Sequence, residues 1–139
     1  MYLYRQTETQ GIIEDIRNAI NGEYSAIQCY QKLAQKAPNR QQREQIQEIR
    51  QDEIKHYQRF MQIYTSLTGQ QPQPQITEEC PDNYTEGLIA SFKDEQETTD
   101  FYLEFSEQAR TPYIKEVFRS AAADEQNHAV WFLSFLTIK

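Results

Sequence analysis

The chain has 139 residues, enough to bury one apolar core without disulfides or a structural zinc to brace it. Its 21 acidic side chains against 14 basic ones give a formal charge of −7, so no basic stripe is available for phosphates, which argues against nucleic acid as a partner. The amino terminus, Met1 to Gln6, lacks the apolar run of a signal peptide, and the longest purely apolar run, Ala129 to Leu133, is too short to span a bilayer; a soluble, cytoplasmic protein without a membrane partner is expected.

Only four glycines are scattered through a sequence rich in Gln, Glu, Ala, Ile and Leu, which predicts an all-α fold in a single domain over residues 1–139. Four segments carry apolar residues at alternating spacings of three and four, the mark of a helix with one buried stripe. From about Thr7 to Lys36 the stripe runs Ile12, Ile16, Ile20, position 23, Ile27, Tyr30 and Ala34. From about Arg40 to Leu67 it runs Ile46, Ile49, positions 53 and 56, Phe60, Ile63 and Leu67. The third, from about Asn83 to Ala109, gives Leu88, Phe92, position 95, Thr99, Tyr102, Ser106 and Ala109. The fourth, from about Thr111 to Thr137, gives Ile114, Phe118, Ala121, positions 125 and 128, Phe132 and Phe135.

Pro38-Asn39 separates the first two segments, and Thr111-Pro112, an N-cap followed by proline at the first helical position, separates the last two. These short breaks imply two antiparallel helical hairpins. Between them Gly69 to Pro81 is rich in Pro and Gln; extended at about 3.3 Å per residue it can traverse a whole bundle. The glutamines at positions 41, 42, 45, 47 and 51 read as a solvated helix face.

The six stripe positions given only by number are polar: Glu23, Glu53, His56, Glu95, Glu125 and His128. Four carboxylates on one inward seam oppose folding unless cations sit among them, and two divalent ions would balance four glutamates. Glu23 and Glu53 are equally spaced about Pro38, as Glu95 and Glu125 are about Arg110, so each hairpin brings a lone Glu and a Glu-x-x-His to one depth. Glu23, Tyr30, Asp52, Glu53 and His56 also recur 72 positions later as Glu95, Tyr102, Asp124, Glu125 and His128, an internal repeat of residues 7–68 and 82–137. Both histidines of the chain end such a motif.

On these residues the sequence resembles the ferritin-like di-iron carboxylate proteins, nearest to the iron-binding domain of rubrerythrin, over essentially the whole chain. The resemblance implies a ferritin-like four-helix bundle whose hairpins are joined by a long crossover. It implies two iron ions, with manganese as an alternative, held by Glu53 and Glu125 as bridging carboxylates, Glu23 and Glu95 as terminal ones, and His56 and His128 as one nitrogen ligand each. Asp52 and Asp124 resemble aspartates that orient ligating histidines, and Tyr30 and Tyr102 resemble donors to ligand carboxylates. The implied activity is oxidation of bound ferrous iron by peroxide or dioxygen, with iron handling without turnover or manganese-dependent peroxide disproportionation as alternatives. Two departures bear on it. Thr98 stands where rubrerythrins carry a further glutamate, with Glu97 beside it, and four rubredoxin cysteines are lacking, so an external electron donor protein is implied. The fifth helix of cage ferritins is also lacking, so storage of iron in a shell is not expected.

Cys29 and Cys80 form no C-x-x-C pair; Cys29 reads as a small buried helix residue and Cys80 as an exposed loop thiol, with a bond between them left open by the spacing. The run Val130 to Ile138 is apolar on too many sides for one stripe, so part of it is expected to meet Tyr2-Leu3-Tyr4 or a second subunit in a homodimer.

Overall fold

A computed structural model describes the backbone of residues 2–138 and the side chains of residues 11–138. The described residues form four helices, α1 (Tyr2–Gln35), α2 (Arg40–Thr68), α3 (Tyr84–Gln108) and α4 (Pro112–Thr137), in an all-α four-helix bundle. Side-chain caps fix two of the starts. Asn39 Oδ1 accepts from the Gln42 amide at 2.8 Å and Asn83 Oδ1 from the Glu86 amide at 3.0 Å, each satisfying a donor that the first helical turn leaves free. Thr111 occupies the N-cap of α4 with Pro112 behind it, but its side chain makes no cap hydrogen bond. Gly69 ends α2 in the left-handed conformation, with φ of 72°, which a side chain would strain. The first helix starts at Tyr2, five residues before the apolar period becomes legible. The contact expected between the C-terminal run and Tyr2-Leu3-Tyr4 lies outside the described side chains.

Helices α1 and α2 pack as one hairpin and α3 and α4 as the other. The connection through residues 69–83 is a strap laid along α1. Its Gln75 amide donates to Asn21 Oδ1 and its Thr77 amide to Ser25 Oγ, both at 2.9 Å, and Lys36 Nζ donates to the Asp82 carbonyl. Between these points Cys80 is joined to Cys29 in a disulfide. This corrects the reading of Cys29 as a plain buried residue and of Cys80 as a free exposed thiol: the strap runs in the direction of α1 and brings the two sulfurs together. At the start of α3, Gly87 lets that helix approach α1 closely, since a Cβ there would stand 2.6 Å from Leu33 Cδ1.

Two apolar layers fill the bundle. One contains Ile16, Ile20, Phe60, Tyr102, Phe105 and Phe118, with the Phe60 and Phe118 rings stacked 4.4 Å apart. The other contains Tyr30, Leu33, Ile46, Ile49, Leu88 and Phe132. Leu67, placed on the α2 stripe by its period, is exposed because it lies in the last turn of its helix.

Candidate metal centre

All six polar stripe residues are buried; the most exposed, His56, is at 2 %. Their ligating atoms gather into two groups. Glu23, Glu53, His56 and Glu125 form one, and Glu53, Glu95, Glu125 and His128 the other, each group having its atoms within 4.8 Å of one another. Glu53 and Glu125 belong to both.

Hydrogen bonds from the opposite hairpin hold this cluster. Tyr30 Oη on α1 donates to Glu95 Oε1 on α3, and Tyr102 Oη on α3 donates to Glu23 Oε1 on α1, each at 2.5 Å. His56 Nε2 on α2 stands 2.8 Å from Asp124 Oδ2 on α4, and His128 Nε2 stands 2.8 Å from Asp52 Oδ2. The aspartates are half-exposed, so each faces water on one side and an imidazole on the other. An aspartate at Nε2 favours the tautomer that carries its proton there and leaves Nδ1 with a lone pair aimed inward.

One atom of each cluster residue then has no hydrogen-bond partner: Oε2 of Glu23 and Glu95, Oε1 of Glu53 and Glu125, and Nδ1 of His56 and His128. Buried polar atoms are rarely left so, and six together point to a cation. His56 Nδ1 lies 3.5 Å from Glu23 Oε2, 3.2 Å from Glu53 Oε1 and 3.1 Å from Glu125 Oε1. His128 Nδ1 lies 3.5 Å from Glu53 Oε1 and from Glu95 Oε2. Ligands bound at about 2.1 Å stand roughly 3.0 to 3.4 Å apart around an octahedral or tetrahedral ion, so these separations fit a metal ion in each group.

The electrostatics agree. Burial, reinforced by the charges of Glu23 and Glu95, pushes Glu53 up to about 8, and burial with the Glu53 and Glu95 charges raises Glu125 well above the carboxylate range. Burial also opposes ionisation of Glu95, but the neighbouring Glu125 and His128 side chains and the hydrogen bond from Tyr30 outweigh it and hold that group low. For the histidines burial disfavours charge, yet the Glu23 carboxylate and Asp124 carry His56 up to about 12, and Glu95, Glu53 and Asp52 carry His128 up to about 9. Without a metal the cluster balances its carboxylates by holding protons, positive charge that metal ions can replace.

The periodicity gave no sign of one further pair. Asp94, beside Glu95 but off the stripe, is raised to about 9 by burial and by the neighbouring Glu78 carboxyl group on the strap. Glu97 is exposed and lies outside both groups, so it does not replace the carboxylate missing at half-buried Thr98.

A four-helix bundle with paired Glu and Glu-x-x-His sets facing inward is the architecture of a carboxylate-bridged metal protein. The sequence pattern of the Rubrerythrin family matches the chain in two stretches, residues 14–85 and 86–138, and the chain belongs to that family. The second match begins 72 positions after the first, the period of the internal repeat. The chain is 57 % identical over 125 residues to the uncharacterized protein YhjR of Bacillus subtilis (strain 168), covering 90 % of this chain and 86 % of that one. A hypothetical protein from Pyrococcus furiosus has the same fold, with a TM-score of 0.77 at 22 % identity over 90 % of this chain and 87 % of that chain. Among the described residues no helix is long and apolar enough to cross a membrane.

Proposed function

We propose that the chain holds two iron ions in this cluster and uses them to reduce hydrogen peroxide or dioxygen, as a detoxifying oxidoreductase supplied with electrons from outside. The observation that carries this reading is the set of six buried, unpartnered ligand atoms divided into two groups that share Glu53 and Glu125. Bound ferrous iron would supply the electrons for the reduction. The chain's own part is to hold the ligands. Glu23 and His56 serve one ion and Glu95 and His128 the other, while Tyr102 and Tyr30 occupy the far oxygens of the terminal glutamates so that Oε2 stays aimed inward. Asp124 and Asp52 hold the imidazole rings, and the phenylalanine layers built around Phe60 and Phe132 keep bulk water from the carboxylates.

Stopped-flow mixing of the ferrous protein with peroxide tests the proposal: oxidation much faster than that of free ferrous iron is expected, and a rate no faster defeats it. A second reading, iron handling without turnover, draws on Thr98, which leaves the cluster one carboxylate short of the rubrerythrin pattern. It predicts negligible oxidation together with reversible loss of both ions to a mild chelator. Metal analysis of the natively purified protein separates iron from manganese, which would direct the site to peroxide disproportionation.

A further inference from the structure

The Cys29–Cys80 disulfide borders one surface hollow with both cysteines and a second with Cys29 alone. On its outer side a surface hollow of about 380 Å³ is lined by Gln28, Cys29, Lys32, Ile76, Glu79 and Cys80. Beside it a smaller hollow of about 40 Å³ is lined by Cys29, Tyr30, Glu78, Ser91 and Asp94 among others but not by Cys80, and Tyr30 is bonded through its hydroxyl to Glu95 of the metal cluster. Both cysteines are half-buried and both line the outer hollow. The sequence contains no other cysteine, which makes this pair its one thiol–disulfide couple, and that couple exchanges two electrons, the number needed to reduce one peroxide. In reducing surroundings such disulfides are usually catalytic or redox-sensing.

We propose that Cys29 and Cys80 are a redox-active pair that feeds the metal centre and is recharged by an external dithiol acting at the outer hollow. The inference rests on the proposed function and specifies the chemical class of its electron donor. In the recharging half, a dithiol attacks the disulfide; its own sulfur–sulfur bond forms as the Cys29–Cys80 bond breaks, and its two protons pass to the cysteines. In the oxidising half, the two thiols release two protons and two electrons and re-form their bond. Hydrogen peroxide takes up both protons and both electrons, its oxygen–oxygen bond breaks, and two waters leave; bound metal would supply the redox chemistry that couples the two halves.

The test counts thiols by alkylation and mass. The native, metal-free protein treated with dithiothreitol without denaturant should gain two alkylations; a disulfide that stays closed is a structural brace and overturns the inference. The iron-loaded, fully reduced protein should consume about two equivalents of peroxide, one for each two-electron store, and the Cys29→Ser/Cys80→Ser variant loaded with the same iron about one. Thiol loss in the loaded protein should be complete while the reduced metal-free protein still keeps its thiols. If thiol loss is equally slow in both while peroxide oxidises the iron quickly, the inference falls and the proposed function stands. If the iron is oxidised no faster than free iron, the proposed function falls, and the inference falls with it.

Discussion

His56 Nε2 stands 2.8 Å from Asp124 Oδ2, so the histidine of the first hairpin is oriented by the second. Asp124→Ala removes that partner and frees the ring to turn or change tautomer. Metal affinity should fall about 10- to 100-fold at the group containing Glu23 and His56, and hold at the group containing Glu95 and His128. Competition with a chelator of known affinity reads the two sites separately; equal weakening of both would contradict the assignment.

The two groups differ in which residues they own. Glu53→Ala and Glu125→Ala each take a ligand from both and should abolish uptake of the pair. Glu23→Ala and Glu95→Ala each remove a ligand from one group only and should leave about one ion per chain, since the other group keeps all four of its ligands. Elemental analysis of the purified variants decides the matter, and identical stoichiometry for all four variants would refute the sharing of Glu53 and Glu125.

Tyr102→Phe keeps the ring within its apolar layer and deletes only the hydroxyl that Glu23 Oε1 accepts from. A buried hydrogen bond to a charged group is worth about 1.5 to 3 kcal/mol, and the metal-free variant should lose that much unfolding free energy in urea. Tyr30→Phe should match it, because Glu95 stands to Tyr30 as Glu23 does to Tyr102.

The metal-free protein should become less stable as pH rises. Glu53 has an ordinary value of 4.5 and a folded value of about 8, so its favourable contribution is complete below the former and lost through the latter; Glu125 is raised in the same sense. His56 and His128 contribute stability that is complete below 6.5 and lost as pH rises through about 12 and about 9. Glu95, held low, runs the other way: its contribution is present above 4.5 and disappears as pH falls. The four raised groups outnumber it, so urea midpoints of the metal-free protein should drop between about pH 5 and about pH 9. Adding metal near pH 7 should expel the protons held in the fold, which an indicator dye can follow; a neutral response would count against this charge balance.

Val130, Leu133 and Ile138 are exposed on and beyond the outer face of the last helix, at 60 %, 42 % and 71 %. If they form the interface of a homodimer, sedimentation at micromolar concentration should give about 33 kDa, twice the chain mass of 16.5 kDa, and Leu133→Glu should return the monomer. A monomer mass for the unaltered protein would argue against it.

The helices were legible because their apolar residues repeat at the helical period, and the polar residues that break that period are the ones the fold brings together at Glu53 and Glu125. Local spacing carries this information, since the height of a residue on a helix follows from its number. The Cys29–Cys80 bond was not legible for the opposite reason: a segment with no internal period takes its path from scattered anchors, here Asn21, Ser25 and Lys36. Glu78 against Asp94 was hidden in the same way, one partner lying on that irregular segment and the other beside the stripe. The exposure of Leu67 shows that a period continues past the point where a helix still has a neighbour.

Each contact that steadies a ligand crosses from one hairpin to the other, with Tyr30 meeting Glu95, Tyr102 meeting Glu23, His56 meeting Asp124 and His128 meeting Asp52. A lone hairpin therefore carries half of every clasp, while one hairpin facing its own copy about a twofold axis would complete them all. Such an arrangement is what duplication and fusion of a self-pairing ancestor would leave behind. Halves joined in that way would be free to differ wherever no clasp constrains them, as they do at Cys29, whose counterpart 72 positions later is Phe101.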